Sequence, residues 1–124
     1  MKTALIIEDN PDNMTLICDI LKLNGYAVKQ ATSGLQGYKL AKEFIPDYII
    51  LDIQLPDIDG YSVLEKIRSD SKTINIPVIA MTSYAMAGDK DRLLSAGCDG
   101  YIEKPIDPGI VMNQIQHAID RHKK

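Results

Sequence analysis

The sequence predicts an α/β fold: five parallel strands in one sheet, in the order 2-1-3-4-5, with five helices covering its two faces. Three observations lead there. Short apolar runs alternate with helix-period stretches along the whole chain, and regular βα alternation implies a parallel sheet with helices on both faces. Several of the runs are unbroken, TALII at 3–7, YIIL at 48–51 and PVIAM at 77–81. Strands buried on both faces read this way, whereas one-sided strands alternate. Finally, 124 residues suit one domain with its own core, and no repeat, low-complexity segment or linker divides them. The expectation is one domain over 1–124, with no output domain attached.

Taken in order, the first strand (3–7) ends in Glu8-Asp9. Asn10-Pro11 then fits a helix N-cap followed by a first-turn proline. The first helix carries Met14, Ile17, Cys18 and Leu21 at 3.6-residue spacing, with Leu16, Ile20 and Leu23 widening the stripe. Asn24-Gly25 stops it. Residues 26–30 form a less apolar strand nearer an edge. Thr32-Ser33-Gly34 turns into a second helix with Leu35, Tyr38, Ala41 and Phe44 on its inner face, ending before Pro46. The third strand, 48–51, stops abruptly at Asp52. Its helix, 60–69, buries Val63, Leu64 and Ile67. The fourth strand, 77–81, ends in Thr82-Ser83. A fourth helix falls between 86 and 96 and is capped by Gly97; its first half has poor apolar periodicity. The fifth strand, 99–103, ends at Lys104-Pro105. Asp107-Pro108 reads as another cap, before a last helix packing Val111, Met112, Ile115, Ala118 and Ile119. Five such units in the predicted order make a flavodoxin-like, three-layer α/β/α fold, with its switch point between strands one and three.

Composition narrows the function classes. Hydrophobic residues make up 45% and charged residues 25%, ordinary for a globular domain. The net charge of −3, with no basic run in the body of the chain, argues against direct nucleic-acid binding. The terminal Arg121-His122-Lys123-Lys124 reads as cations at a helix C-terminus. His117 and His122 read as surface residues of that helix. No apolar stretch approaches the roughly 18 residues that span a bilayer, and the start lacks a signal-peptide pattern. Cys18 and Cys98 have neither a metal nor a redox spacing and read as small buried residues of a cytosolic protein. The expected location is the cytoplasm, without membrane insertion.

Chemistry concentrates where strands end. Glu8 and Asp9 follow strand one, Asp52 follows strand three, Thr82 strand four and Lys104 strand five. In a parallel sheet these ends share one edge, and strands one and three are neighbours, so three carboxylates converge. Crowded carboxylates repel unless cations compensate. Mg²⁺ suits a few carboxylates plus retained waters, and Lys104 adds one positive charge. Phosphoryl transfer is chiefly positioning and electrostatic stabilisation. Asp52 can therefore act as a nucleophile that becomes an aspartyl phosphate, with Thr82 and Lys104 holding the phosphoryl oxygens. A nucleotide site has no support, since neither G-x-x-x-x-G-K-[ST] nor G-x-G-x-x-G is present; Gly34-Leu35-Gln36-Gly37 is a helix start.

These motifs resemble the response-regulator receiver domains (CheY-like) of two-component signalling, over essentially the whole chain. IIEDN at 6–10, ILDIQLPDIDG at 50–60, VIAMTS at 78–83 and GYIEKP at 100–105 carry the likeness. The resemblance implies that Asp52 accepts phosphate from a phosphohistidine of a sensor histidine kinase or histidine phosphotransfer protein. It implies Mg²⁺ held by Asp9, Asp52 and the Gln54 backbone carbonyl, with Glu8 acting through water. It further implies that Thr82 and Lys104 bind the phosphoryl group and that Lys104-Pro105 is cis. Tyr101 takes the place of the switch aromatic, while Gln54 and Tyr84 tune the lifetime of the phosphate. Phosphorylation would then bias the surface formed by helix four, strand five and helix five, and so control a downstream partner protein. EDNPDN and DIQLP look like stand-alone regulators of the DivK type and the receivers of hybrid kinases. On this reading the chain is no enzyme beyond its own phosphorylation and slow autodephosphorylation. The alternatives are a small aspartyl-phosphate phosphohydrolase, which lacks a cap or pocket segment, and a constitutive protein-interaction module.

Overall fold

The computed structural model of the protein describes residues 2–83 and 87–123. The elements run β1 (Thr3–Ile7), α1 (Pro11–Leu23), β2 (Ala27–Ala31), α2 (Gly34–Phe44), β3 (Tyr48–Asp52), α3 (Gly60–Ser69), β4 (Val78–Thr82), α4 (Ala87–Ser95), β5 (Gly100–Glu103) and α5 (Val111–His122). All strand pairs are parallel and the order is β2-β1-β3-β4-β5. The apolar runs explain the order. Every residue of β3 and β4 is buried, as central strands demand. β2, with Lys29 and Gln30 exposed, takes an edge; it begins one residue later than expected.

Alternate side chains of each strand feed two core layers. On one face Ile6, Tyr48, Ile50 and Ile79 meet Ile17 and Leu21 of α1 and Val111, Ile115 and Ala118 of α5. On the other, Leu5, Ile7, Ile49 and Leu51 meet Val63, Leu64 and Ile67 of α3, Ala41 of α2 and Leu93 of α4.

The first helix is capped as the sequence implies: Asn10 Oδ1 accepts the Asp12 and Asn13 N–H groups at 2.9 and 3.0 Å. Its stripe is narrower than expected, since Leu23 is 87% exposed. In α2 the inner face is rotated. Leu35 and Phe44 are exposed, and Gly34, Gly37 and Ala41 are buried instead. The cause is close approach: a Cβ on Gly37 would overlap the Ile7 side chain, and one on Gly34 would lie 2.6 Å from Val63 Cγ2. The last helix also begins later than expected. Asp107 Oδ1 accepts the Gly109 N–H at 2.9 Å, making a turn over 108–110, and α5 starts at Val111. His122 is not a free surface residue but half-buried against Asp99 and Asn75. Cys18 and Cys98 are buried free thiols. Among the described residues no helix is long and apolar enough to cross a membrane.

Candidate functional site

All the strands end at the same edge, and their register decides which end groups meet. Ile7 pairs with Leu51, which sets Glu8 beside Asp52. Asp52 pairs with Met81, next to Thr82, and Thr82 pairs with Glu103, next to Lys104. The five polar residues picked out at strand ends thus share one edge. Burial separates them: Glu8 is 0%, Asp52 2% and Thr82 3% exposed, whereas Asp9 lies open to water.

Lys104 Nζ stands 3.1 Å from Glu8 Oε1 and 3.2 Å from Asp52 Oδ2. One ammonium between two carboxylates leaves negative charge over, and Asp9 adds more. One oxygen from each of Glu8, Asp9 and Asp52 lies within 4.8 Å of the other two. Glu8 Oε2 accepts the Asp9 N–H at 3.1 Å, while Glu8 Oε1 is buried without an aligned hydrogen bond despite its ion pair with Lys104. Asp52 Oδ1 accepts the Gln54 N–H at 2.9 Å, which orients the carboxylate. The loop behind it is tight: Gly60 N–H donates to the Ile53 carbonyl at 2.8 Å. A Cβ on Gly60 would sit 2.5 Å from Ile53 Cα and 3.0 Å from the Asp52 carbonyl oxygen, so this position requires glycine.

The crowding shows in the proton affinities. Burial first, and the neighbouring Glu8 second, push the Asp52 carboxyl up to about 7, against the pull of the Gln54 N–H and Lys104. Burial also works against the Glu8 anion, but hydrogen bonding to Asp52 and the charge of Lys104 bring Glu8 below the usual carboxylate range. Lys104 is raised, its burial outweighed by Glu8 and Asp52. Two buried carboxyls share one lysine here, and a hard cation would offset the negative charge that is left. A cluster of carboxylate oxygens open to water on the Asp9 side fits Mg²⁺.

The remaining predicted residues fall as follows. Tyr101 is half-buried, with Lys90 Nζ 5.0 Å above its ring. The Lys104–Pro105 peptide is cis. Gln54 is exposed beside Asp52. Tyr84 lies outside the described residues. One contributor escaped the sequence reading: Asp57, in the loop after β3, accepts the Gly34 and Leu35 N–H groups at 2.8 and 2.9 Å. These bonds, that to Leu35 foremost, hold its carboxyl below the ordinary range and pin the loop that follows Asp52 to the start of α2. Only its acidity hinted at this, because the helix it caps lies far back in the chain.

Residues 4–116 match the response regulator receiver domain family. The polar-differentiation response regulator DivK of Brucella ovis is 44% identical over 105 residues, 85% of either chain. The receiver domain of sensor histidine kinase PA1611 from Pseudomonas aeruginosa PAO1, solved with a magnesium ion coordinated in its active site cleft, is 34% identical with a TM-score of 0.86, covering 96% of this chain and 98% of its own. A CheY-like receiver domain protein from Methanospirillum hungatei JF-1 is 28% identical with a TM-score of 0.87, over 99% and 97% of the two chains. Sheet order, an acidic edge at the switch point and sequence kinship thus agree, and the chain belongs to the response regulator receiver family of two-component signalling.

Proposed function

We propose that the protein is a phospho-accepting response regulator that takes a phosphoryl group onto Asp52 from a phosphohistidine of a sensor histidine kinase or histidine phosphotransfer protein. The observation that carries this is Asp52 itself: a 2%-exposed carboxylate at a strand end, 3.2 Å from Lys104 Nζ and crowded by Glu8. So much buried charge is costly for a purely structural role.

In the transfer, an Asp52 carboxylate oxygen forms the new O–P bond as the donor's N–P bond breaks. The imidazole leaves with the electron pair and takes up a proton. The Gln54 N–H holds Asp52 in orientation, and Lys104 and the Thr82 hydroxyl receive the phosphoryl oxygens. Asp9, Asp52 and the Gln54 carbonyl, with Glu8 through water, would hold Mg²⁺, which when bound offsets charge on those oxygens. The phosphoryl group adds about −1.5 to −2 charge beside Thr82. Thr82 moves toward it, Tyr101 changes rotamer, and the α4–β5–α5 surface shifts toward the form that a downstream partner protein binds. The protein acts on its own Asp52 and turns over no other substrate. A cytoplasmic setting goes with its free buried thiols.

Incubation with acetyl phosphate and Mg²⁺ tests this by intact mass. One phosphoryl adduct, absent from Asp52→Asn, is expected; an unmodified wild-type chain with every phosphodonor contradicts it.

A further inference from the structure

The opposite edge of the sheet, where strands begin, carries a second charged network. Arg68, near the end of α3, donates from Nε to the Gly97 carbonyl at 3.0 Å and from Nη1 to the Ile74 and Ile76 carbonyls at 2.9 and 2.7 Å. Its Nη2 meets Asp99 Oδ2 at 3.1 Å. The same Asp99 oxygen accepts the Val78 N–H at 2.9 Å. Asp99 Oδ1 faces His122 Nδ1 at 2.9 Å, and His122 Nε2 faces the Asn75 carbonyl at 2.8 Å. Both neighbours of the ring are acceptors, so His122 bridges Asp99 and the Asn75 carbonyl. The side chains of Arg68, Asp99 and His122 are only 19, 14 and 24% exposed, a setting in which charge-assisted bonds are strong.

The network gathers the end of α4 at Gly97, the approach to β5 at Asp99 and the end of α5 at His122. Packing is close there too. Gly97, at φ +112°, passes under Arg68, and a Cβ on Gly100 would lie 2.7 Å from Ala118 Cβ. Among the described side chains, α4 meets the far end of β5 through a looser contact. Lys90 and Glu103 pair at 3.4 Å with side chains 35 and 54% exposed, and such pairs contribute little.

From this asymmetry we infer that Arg68, Asp99 and His122 are positioning residues that pin one end of the α4–β5–α5 unit. A change at Asp52 and Thr82 then tilts the unit about the pinned end and does not slide it as a whole. The inference rests on the phospho-acceptor reading above. Its consequence is directional: the response concentrates at the Lys90, Tyr101 and Glu103 end.

Hydrogen exchange of the full chain, with and without beryllofluoride (a phosphoryl mimic) and Mg²⁺, tests it. In the wild type, exchange at 88–92 and 101–104 is expected to change by about fivefold or more, and at 94–100 and 118–122 by less than about twofold. Asp99→Asn and His122→Ala should speed exchange at the pinned end by about tenfold and roughly halve the beryllofluoride response at 101–104. The same variants should form the acetyl phosphate adduct at the wild-type rate, a split that general destabilisation does not produce. His122→Ala, which removes only the outermost member, decides alone if Asp99→Asn fails to fold. A wild-type response equally large at both ends, or variants that keep the full response at 101–104, overturns the inference. Failure of the wild type to form any adduct instead overturns the phospho-acceptor reading.

Discussion

A carboxyl as deep as Asp52, beside a second buried carboxyl, is uncomfortable as an anion until a cation joins it. Its folded-state value near 7 lies above the ordinary 3.8, so the folded chain binds the proton more tightly than the unfolded chain. Stability of the Mg²⁺-free protein should therefore fall as pH rises from about 4 through about 7. Asp52→Asn removes that cost and should stabilise the metal-free protein at pH 8 by about 1–3 kcal/mol, read from urea unfolding. Mg²⁺ competes with the same proton, so its affinity should climb across the same interval; titration calorimetry at pH 6 and pH 8 checks it. Lys104→Ala strands Glu8 and Asp52 without their shared cation. A loss of about 3 kcal/mol at pH 8 is expected, part of it restored by Mg²⁺. Equal stability of wild type and variant would show that Lys104 bears none of this charge.

Elements place these residues through a few tight contacts. Gly60 starts α3 directly under the loop that follows Asp52, where a Cβ meets backbone, which cannot rotate away. Gly60→Ala should cost about 2–3 kcal/mol and slow adduct formation on Asp52, since the Gln54 N–H moves with that loop. At the end of α2, Ile45 adopts φ 43°, a left-handed conformation unfavourable for a β-branched residue. Ile45→Gly relieves it and should raise stability by about 1 kcal/mol in thermal melts, without touching phosphorylation. The strands were legible in the sequence because burial on both faces leaves an unbroken apolar run that stops at a polar residue, as Ile7 gives way to Glu8 and Leu51 to Asp52. The inner face of α2 was not, because Gly34 and Gly37 pack through their lack of a side chain, and apolar periodicity does not register them. Asp57, Arg68 and His122 were equally opaque. Each bonds to backbone far away in sequence, and an isolated acid, arginine or histidine carries no mark of its partner.

At the scale of the whole molecule, the sheet separates two tasks. Its C-terminal edge gathers Glu8, Asp9, Asp52, Thr82 and Lys104 without any one of them being close to all the others in sequence. Parallel topology alone brings them together, which is why the strand ends could be read off the sequence as neighbours on one edge. Its N-terminal edge carries the Arg68–Asp99–His122 network that holds α4, β5 and α5. A ligand that binds only the folded edge stabilises the whole domain, so Mg²⁺ at 100 times its Kd should add about 2.7 kcal/mol, an increment expected to shrink in Asp9→Asn. The central claim, that this edge is a phosphoryl acceptor, is met most directly by transfer from a phosphohistidine donor. A histidine phosphotransfer protein carrying ³²P on its histidine is mixed with the wild type and with Asp52→Asn, with Mg²⁺ and with excess chelator. Label should pass to the wild type only when Mg²⁺ is present, be released by hydroxylamine as an acyl phosphate is, and never reach Asp52→Asn. Label on Asp52→Asn, or none on the wild type with any phosphohistidine donor, would contradict it.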